Sequence, residues 1–178
     1  MSQRLPEFIE PYNLAENRRI LKGQLSKANM KRLAPLLATN VGNVDVELTF
    51  AVDETGQANV KGSVHTQVSM QCQRCMKTME LPINAKVSLA FVATEEQAQE
   101  LPSHYEPLIV EEETSLSGLV EDEIILALPV VPLHEPEHCS VQEQIRGYVQ
   151  GTTAESDTEG NNDRPNPFAV LEKLRKKD

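Results

Sequence analysis

Three successive stretches of this chain alternate apolar with polar residues, a period of two that is typical of half-buried β-strands. Their apolar positions are Val44, Val46, Leu48, Phe50 and Val52 in the first stretch, Val60, Gly62, Val64, Val68 and Met70 in the second, and Met79, Leu81, Ile83, Ala85, Val87, Leu89 and Phe91 in the third. A turn sequence at residues 53–56 separates the first two. Consecutive strands of this kind predict an antiparallel β-meander whose apolar face is covered by helices or by partial closure into a barrel. Pro82 in the third stretch indicates an edge or a bulge.

Helical patterns precede these strands. Between residues 13 and 38 the sequence predicts two helical pieces separated by Gly23, with Leu14, Ile20 and Leu21 in the first. Ser26 is the predicted N-cap of the second piece. The apolar positions of that piece, at three-and-four spacing, are Met30, Leu33, Leu36 and Leu37. Residues 20–25 fit a short strand equally well, because six residues cannot distinguish the two periods.

Further elements follow the predicted strands. Residues 94–100 read as a polar helical turn or loop, and residues 104–110 as an extended piece that can add another strand. A clearer helix carries an apolar stripe and has Ser115 or Ser117 as its cap. The stripe consists of Leu116, Leu119, Val120, Ile124, Ala127 and Leu128. Residues 121–123, all acidic, suit a helix start and a solvated face, and Pro129 ends the helix.

The patterns together predict an α+β domain over residues 1–148. Residues 149–165 have no apolar period, and their Gly, Thr, Ser, Asp and Asn content predicts a disordered linker. A short basic C-terminal helix is predicted over residues 166–178, with Asn166 as N-cap and Pro167 at the first helical position. Its apolar face consists of Phe168, Leu171 and Leu174.

Charge is segregated along the chain although the formal net charge is −10. Residues 1–40 carry seven Lys or Arg against three Glu, whereas residues 87–145 carry thirteen Asp or Glu and no Lys or Arg. This asymmetry permits a basic face for RNA and an acidic face for a basic partner, or two ordinary solvated faces. No run of eighteen apolar residues and no apolar leader is present, so we expect a cytoplasmic protein with no membrane partner.

Two separate cysteine segments predict a metal site. Cys72 and Cys75 lie where the second strand must turn into the third, and a two-residue gap in a turn lets both sulfurs face one ion. Cys139 and either His134 or His138 would complete a set that holds a structural zinc ion. The alternative is that Cys72 is a core thiol, Cys75 a turn residue and both histidines solvent-exposed. A redox pair is disfavoured because the flanks are strands, not a helix N-terminus.

The sequence contains no Gly-x-Ser-x-Gly elbow, Gly-rich phosphate loop before a Lys or His-Glu-x-x-His pair, so we expect that the protein is not an enzyme. Basic side chains supply candidate RNA contacts, which would bind phosphates and so position the protein. The candidates are Arg18, Arg19, Lys22, Lys27, Lys31, Arg32, Arg74, Lys77, Lys173, Arg175, Lys176 and Lys177. Aromatic residues are sparse among them, so base stacking is not predicted.

Three segments in this order resemble the large ribosomal RNA subunit accumulation protein family of gammaproteobacteria: residues 72–75, residues 119–139 and residues 166–171. The resemblance covers nearly the whole chain. It implies a non-enzymatic cytoplasmic factor for synthesis, processing or stability of the large-subunit (23S) ribosomal RNA, with that RNA or its precursor as partner. Other branches of the family resemble this chain but carry further Cys pairs after the proline segment, and here His134 stands about where one of those Cys would be.

Two other functions are compatible with the residues. An acidic interaction module would bind a basic ribosomal protein without touching RNA. A nuclease or other processing enzyme would need a carboxylate site that the sequence does not display. Salt-dependent RNA binding distinguishes the first from an RNA-binding factor, since phosphate contacts release counterions.

Overall fold

The described residues, 3–110 and 112–141 of a computed structural model, form an α+β fold. The predicted linker and the predicted C-terminal helix lie outside them. In chain order the helices and strands are β1 (Gln3–Arg4), β2 (Phe8–Ile9), α1 (Pro11–Glu16), β3 (Ile20–Ser26), β4 (Asn43–Val52), β5 (Ala58–Gln71), β6 (Thr78–Val92), α2 (Glu95–Gln99), β7 (Glu106–Ile109), β8 (Thr114–Ser115) and α3 (Leu116–Ala127).

The main sheet has six strands in the order β1-β3-β4-β5-β6-β7. Strands β3 to β6 are antiparallel neighbours, which confirms the predicted meander, while β1 and β7 pair in parallel with β3 and β6 at the two edges. The sheet is open. Of the two predicted ways to cover its apolar face, packing by helices is therefore observed and closure into a barrel is not. Strands β2 and β8 form a separate two-stranded ribbon.

One face of the sheet and helix α3 form the core. The predicted alternation holds in β4, where Val44, Val46, Leu48 and Phe50 are buried. Phe50 stacks on Phe91 of β6 with ring centroids 6.1 Å apart. From α3 the buried apolar residues are Leu116, Leu119, Val120 and Ile124. Helix α3 therefore begins where the sequence predicts, and the Ser115 hydroxyl accepts a hydrogen bond from the Gly118 N–H at 3.2 Å.

The prediction of a second helix within residues 26–37 is wrong. The structure has two isolated 3-10 turns there, Lys27–Asn29 and Ala34–Leu36. Pro35 lies in the predicted helix interior, where it removes a backbone donor. The N–H groups of Arg32 and Leu33 donate to the side chain of Glu121 and not to a preceding turn.

The remaining predictions near the sheet are confirmed. Residues 20–25, for which helix and strand were both open, belong to β3, and Ser26 accepts from the Ala28 N–H at the start of the first 3-10 turn. Residues 94–100 contain α2, and residues 104–110 contain β7. Pro82 lies on the part of β6 that β7 does not reach, so it is at an edge. None of the helices in the described residues has the length and apolar content needed to cross a membrane.

Candidate metal centre

The turn between β5 and β6 and the segment after α3 bring four potential ligands together. The Sγ atoms of Cys72, Cys75 and Cys139 and a ring nitrogen of His134 all lie within 4.8 Å of one another. Cys72 and Cys139 are buried, and the other two are half-buried. The structure therefore places all four predicted ligands in one group that can hold a metal ion.

Backbone hydrogen bonds fix this arrangement. The Cys72 N–H donates to the Lys77 carbonyl, and the Met76 N–H donates to the Cys72 carbonyl, both at 2.9 Å, which closes the turn. Met76 takes a positive φ of 61° to complete it. The Gln73 N–H donates to the carbonyl of Pro132 at 2.9 Å, which joins the turn to the segment that carries the other two ligands.

Of the two candidate histidines, the structure selects His134. Its Nδ1 atom lies 3.3 Å from the Cys75 sulfur, and its backbone N–H donates to the Cys72 sulfur at 3.4 Å. His138 is exposed, and its Nδ1 lies 3.7 Å from a carboxylate oxygen of Glu135. His138 is thus outside the group.

The environment of Cys72 favours its thiolate. Burial raises the pKa of this thiol. Hydrogen bonds from the N–H groups of His134, Cys75 and Arg74, and from the His134 side chain, lower the pKa by more than burial raises it, to about 5. These contacts therefore favour the thiolate, which is the form that binds metals. The groups that stabilise the thiolate belong to a turn and a loop. This differs from redox cysteine pairs, in which a helix N-terminus stabilises the thiolate.

The geometry fits a small tetrahedral ion. Bonds of about 2.0 Å to nitrogen and about 2.3 Å to sulfur give tetrahedral edges of roughly 3.5–3.8 Å. The separation of Cys75 and His134 is already close to such an edge, and the largest separation in the group, within 4.8 Å, needs only about 1 Å of closure. The donor set of three thiols and one imidazole is one that structural zinc sites use.

The basic residues predicted to bind RNA do not form one cluster. Arg18 and Arg19 precede β3, whereas Lys31 and Arg32 follow its other end, so a strand roughly 20 Å long separates the pairs. Arg74 and Lys77 lie in the cysteine turn, at the same end of the sheet as Lys31. The four C-terminal cations, Lys173, Arg175, Lys176 and Lys177, lie outside the described residues.

Within the part of the chain that the structure describes, Lys22, Arg32 and Lys27 are among the candidate cations that already have partners. Lys22 lies on the solvent face of the sheet, 2.6 Å from Glu47, and Arg32 lies 2.6 Å from Asp122. Lys27 is buried and donates to the backbone carbonyl of Gln67, while its burial lowers its pKa. Its position differs from the expectation of an exposed phosphate contact.

The interpretation of residues 121–123 as a helix start and a solvated face is wrong for two of the three. Glu121 and Glu123 are buried, and they lie in the middle of α3. Glu123 is seven residues after Leu116, so the helical period could have placed it on the apolar stripe. Glu121 accepts from backbone N–H groups about 88 positions away in the chain, and no local signal announces that contact.

Two comparisons with known proteins agree. The family profile described as "Large ribosomal RNA subunit accumulation protein YceD" matches residues 60–175. A protein of Haemophilus influenzae with the same description is 36% identical over 178 residues, which span 98% of each chain. No solved structure matches. Because the family profile covers more than half of the chain and the relative covers nearly all of it, this chain belongs to the family of large ribosomal RNA subunit accumulation proteins YceD.

Proposed function

We propose that this protein is a non-enzymatic ribosome-biogenesis factor that acts in the cytoplasm and supports the accumulation of large-subunit (23S) ribosomal RNA. The observation that carries the proposal is membership of the family over almost the full chain length. The factor works by binding the RNA or a precursor particle, and this is supported by a sheet that carries candidate cations beside the cysteine cluster at its end.

The end of the sheet that holds the cysteine cluster is the proposed RNA contact. Lys31 and Lys77 are exposed there, and Arg74 lies in the same turn. Ammonium and guanidinium groups bind phosphates, so they position the RNA on the protein without reading its sequence. Specificity would then come from the shape of the folded RNA. The C-terminal cations remain a second predicted contact.

Salt-dependent binding of the purified full chain to fragments of 23S ribosomal RNA tests this function. We expect affinity that falls as salt rises, with a slope that decreases by about one for each phosphate contact removed. The double variant Lys31→Glu with Lys77→Glu should reduce both affinity and slope. The matched pair Arg18→Glu with Arg19→Glu changes the same charge at the opposite end of the sheet. Absence of binding at low salt, or binding without a salt slope, would refute direct RNA contact.

We also propose that the cluster of Cys72, Cys75, His134 and Cys139 binds zinc as a structural ion. The ion would join the turn after β5 to the segment after α3, which are more than 55 residues apart in the chain. Zinc has no redox chemistry and prefers four tetrahedral N and S ligands in closed structural sites. Three buried or half-buried thiols beside one imidazole support this choice.

A second candidate function is supported by a different surface. The protein would bind a basic ribosomal protein through its acidic half and reach the precursor particle through that partner. The feature that favours this function is an exposed apolar segment between acidic residues, which RNA contact alone does not explain.

A further inference from the structure

Four exposed apolar side chains lie close together in residues 126–133, here called the apolar run. Relative to full exposure, Leu126 is 73%, Val130 99%, Val131 58% and Leu133 40% accessible. No residue of the run forms part of a strand in the described residues. Contiguous exposed apolar side chains on a soluble protein mark a surface that another molecule covers.

The run is held at both ends, so its exposure is a property of the fold. At the start, α3 is anchored in the core by Ile124, and Pro129 directs the chain away from the helix. At the end, Pro132 is buried and its carbonyl accepts from the Gln73 N–H. Pro129 and Pro132, three positions apart, restrict the backbone of the segment, which lowers the entropy lost when a partner binds.

The charge around the run selects the class of partner. Glu135 and Glu137, which follow the run, are exposed. Residues 87–145 contain no Lys or Arg, so no cation of this segment offsets them. Acidic residues around an apolar surface attract a partner with Lys or Arg around an apolar stripe and repel phosphates. The run also lacks the aromatic rings on which bases stack.

We propose that the apolar run is a docking site for a basic protein of the large ribosomal subunit. The partner's apolar side chains would cover Val130 and Val131, and its Lys or Arg side chains would face Glu135 and Glu137. This inference rests on the proposed role in ribosome biogenesis, and it adds a protein contact beside the proposed RNA contact. The cysteine cluster holds the C-terminal end of the run in place.

A photo-crosslinking residue, p-benzoylphenylalanine, at position 130 of the full chain in growing cells tests the partner's identity. Val41, which is 78% exposed in the loop before β4, provides the matched control position. We expect position 130, and not position 41, to attach to one Lys- and Arg-rich protein of the large subunit. Attachment to RNA, to a second copy of the chain or to residues 142–178 of the same chain would overturn the proposal, as would no attachment.

Binding of the purified protein provides the second readout. The probe is the protein fraction extracted from large ribosomal subunits, freed of RNA, at low and high salt. Val130→Ser with Val131→Ser, which adds no charge, should weaken capture of the crosslinked protein by about tenfold or more, and Val41→Ser should change it by less than about twofold. Both variants should keep wild-type affinity for 23S fragments, which separates failure of this site from failure of the RNA proposal. Unchanged capture by the double variant would overturn the docking site.

Discussion

The Nδ1 atom of His134 lies 3.3 Å from the sulfur of Cys75, although 59 positions separate the two residues in the chain. With Cys72 and Cys139 beside them, the contact brings two segments that are distant in the chain to one point. An ion bound at this point would contribute its binding free energy to the stability of the folded state.

Replacement of a ligand should therefore remove metal and stability together. We expect about one zinc ion per wild-type chain. We expect His134→Ala to lose the ion and to lower the free energy of unfolding by at least about 2 kcal/mol. His138→Ala is the matched control, because His138 is exposed and outside the cluster. Elemental analysis and urea unfolding measure the two effects. A metal-free wild-type protein with the same stability in a chelator would contradict the zinc assignment.

Removing the buried carboxylate of Glu121 should be costly. Its Oε1 accepts from the N–H groups of Arg32 at 2.6 Å and Leu33 at 2.9 Å. Glu121→Ala leaves these two donors without their acceptor, so we expect a loss of about 2–3 kcal/mol in urea unfolding. Asp122→Ala removes a neighbouring carboxylate from an exposed ion pair with Arg32 and should cost less than about 1 kcal/mol. Equal losses of unfolding free energy in the two variants would mean that the buried carboxylate contributes no more to stability than the exposed ion pair.

Glu123 should make stability depend on pH in the direction opposite to a paired carboxylate. Burial, and then the negative charges of Glu106 and Asp122, raise its pKa. Below the ordinary glutamate pKa, both folded and unfolded states are protonated and its contribution is fully present. As pH rises toward the raised pKa, the unfolded chain ionises first, so stability falls.

The variant Glu123→Gln keeps the shape of this side chain and removes its titration. We expect the variant to be more stable than wild type at about pH 7.5 and to differ little at about pH 4. Urea unfolding at both pH values measures the difference. A variant that is less stable than wild type at the higher pH would show that the carboxylate is favourable when charged.

Gly62 tests how closely β4 and β5 approach. A β-carbon at this position would overlap the backbone carbonyl of Glu47 on the neighbouring strand. Gly62→Ala must therefore shift backbone and should cost about 2 kcal/mol or more. Gly118→Ala is the matched control, because its β-carbon would meet the Ser115 side chain at 3.4 Å, an ordinary contact, and alanine favours a helix. Thermal unfolding that shifts equally for both variants would contradict this explanation.

The strands were predictable because each carries its own signal. In β4 the alternation of buried Val44, Val46, Leu48 and Phe50 with polar neighbours is complete within one segment. The turn at residues 53–56 is also local, since Asp53 accepts from the N–H groups of Thr55 and Gln57. Long strands and tight turns follow from such short-range patterns.

The segment between β3 and β4 was not predictable in the same way. Met30 and Leu33 have helical spacing and are buried, but they flank two separate 3-10 turns and not one helix. The distant Glu121 holds the backbone there, and a distant carbonyl, that of Gln67, holds Lys27. Tertiary contacts of this kind override local propensity, and a single sequence does not reveal them.

The candidate site was predictable in composition and only partly in geometry. Cys72 and Cys75 are close in the chain, so their turn could be anticipated. The choice between His134 and His138 depends on the Gln73 hydrogen bond to Pro132, which sets the register of the second segment against the turn. That bond joins residues 59 positions apart, and no local pattern encodes it.

The position of Cys139 in the chain sets an order for the maturation of the protein. Every strand and helix of the described domain precedes this residue, so a nascent chain emerging from the ribosome has made its whole sheet before the fourth ligand exists. A chain that ends after His134 and before Cys139 has three of the four ligands, so the segment after α3 lacks the contact that Cys139 makes. Completion of the cluster therefore coincides with completion of the domain, and a prematurely ended chain cannot assemble it.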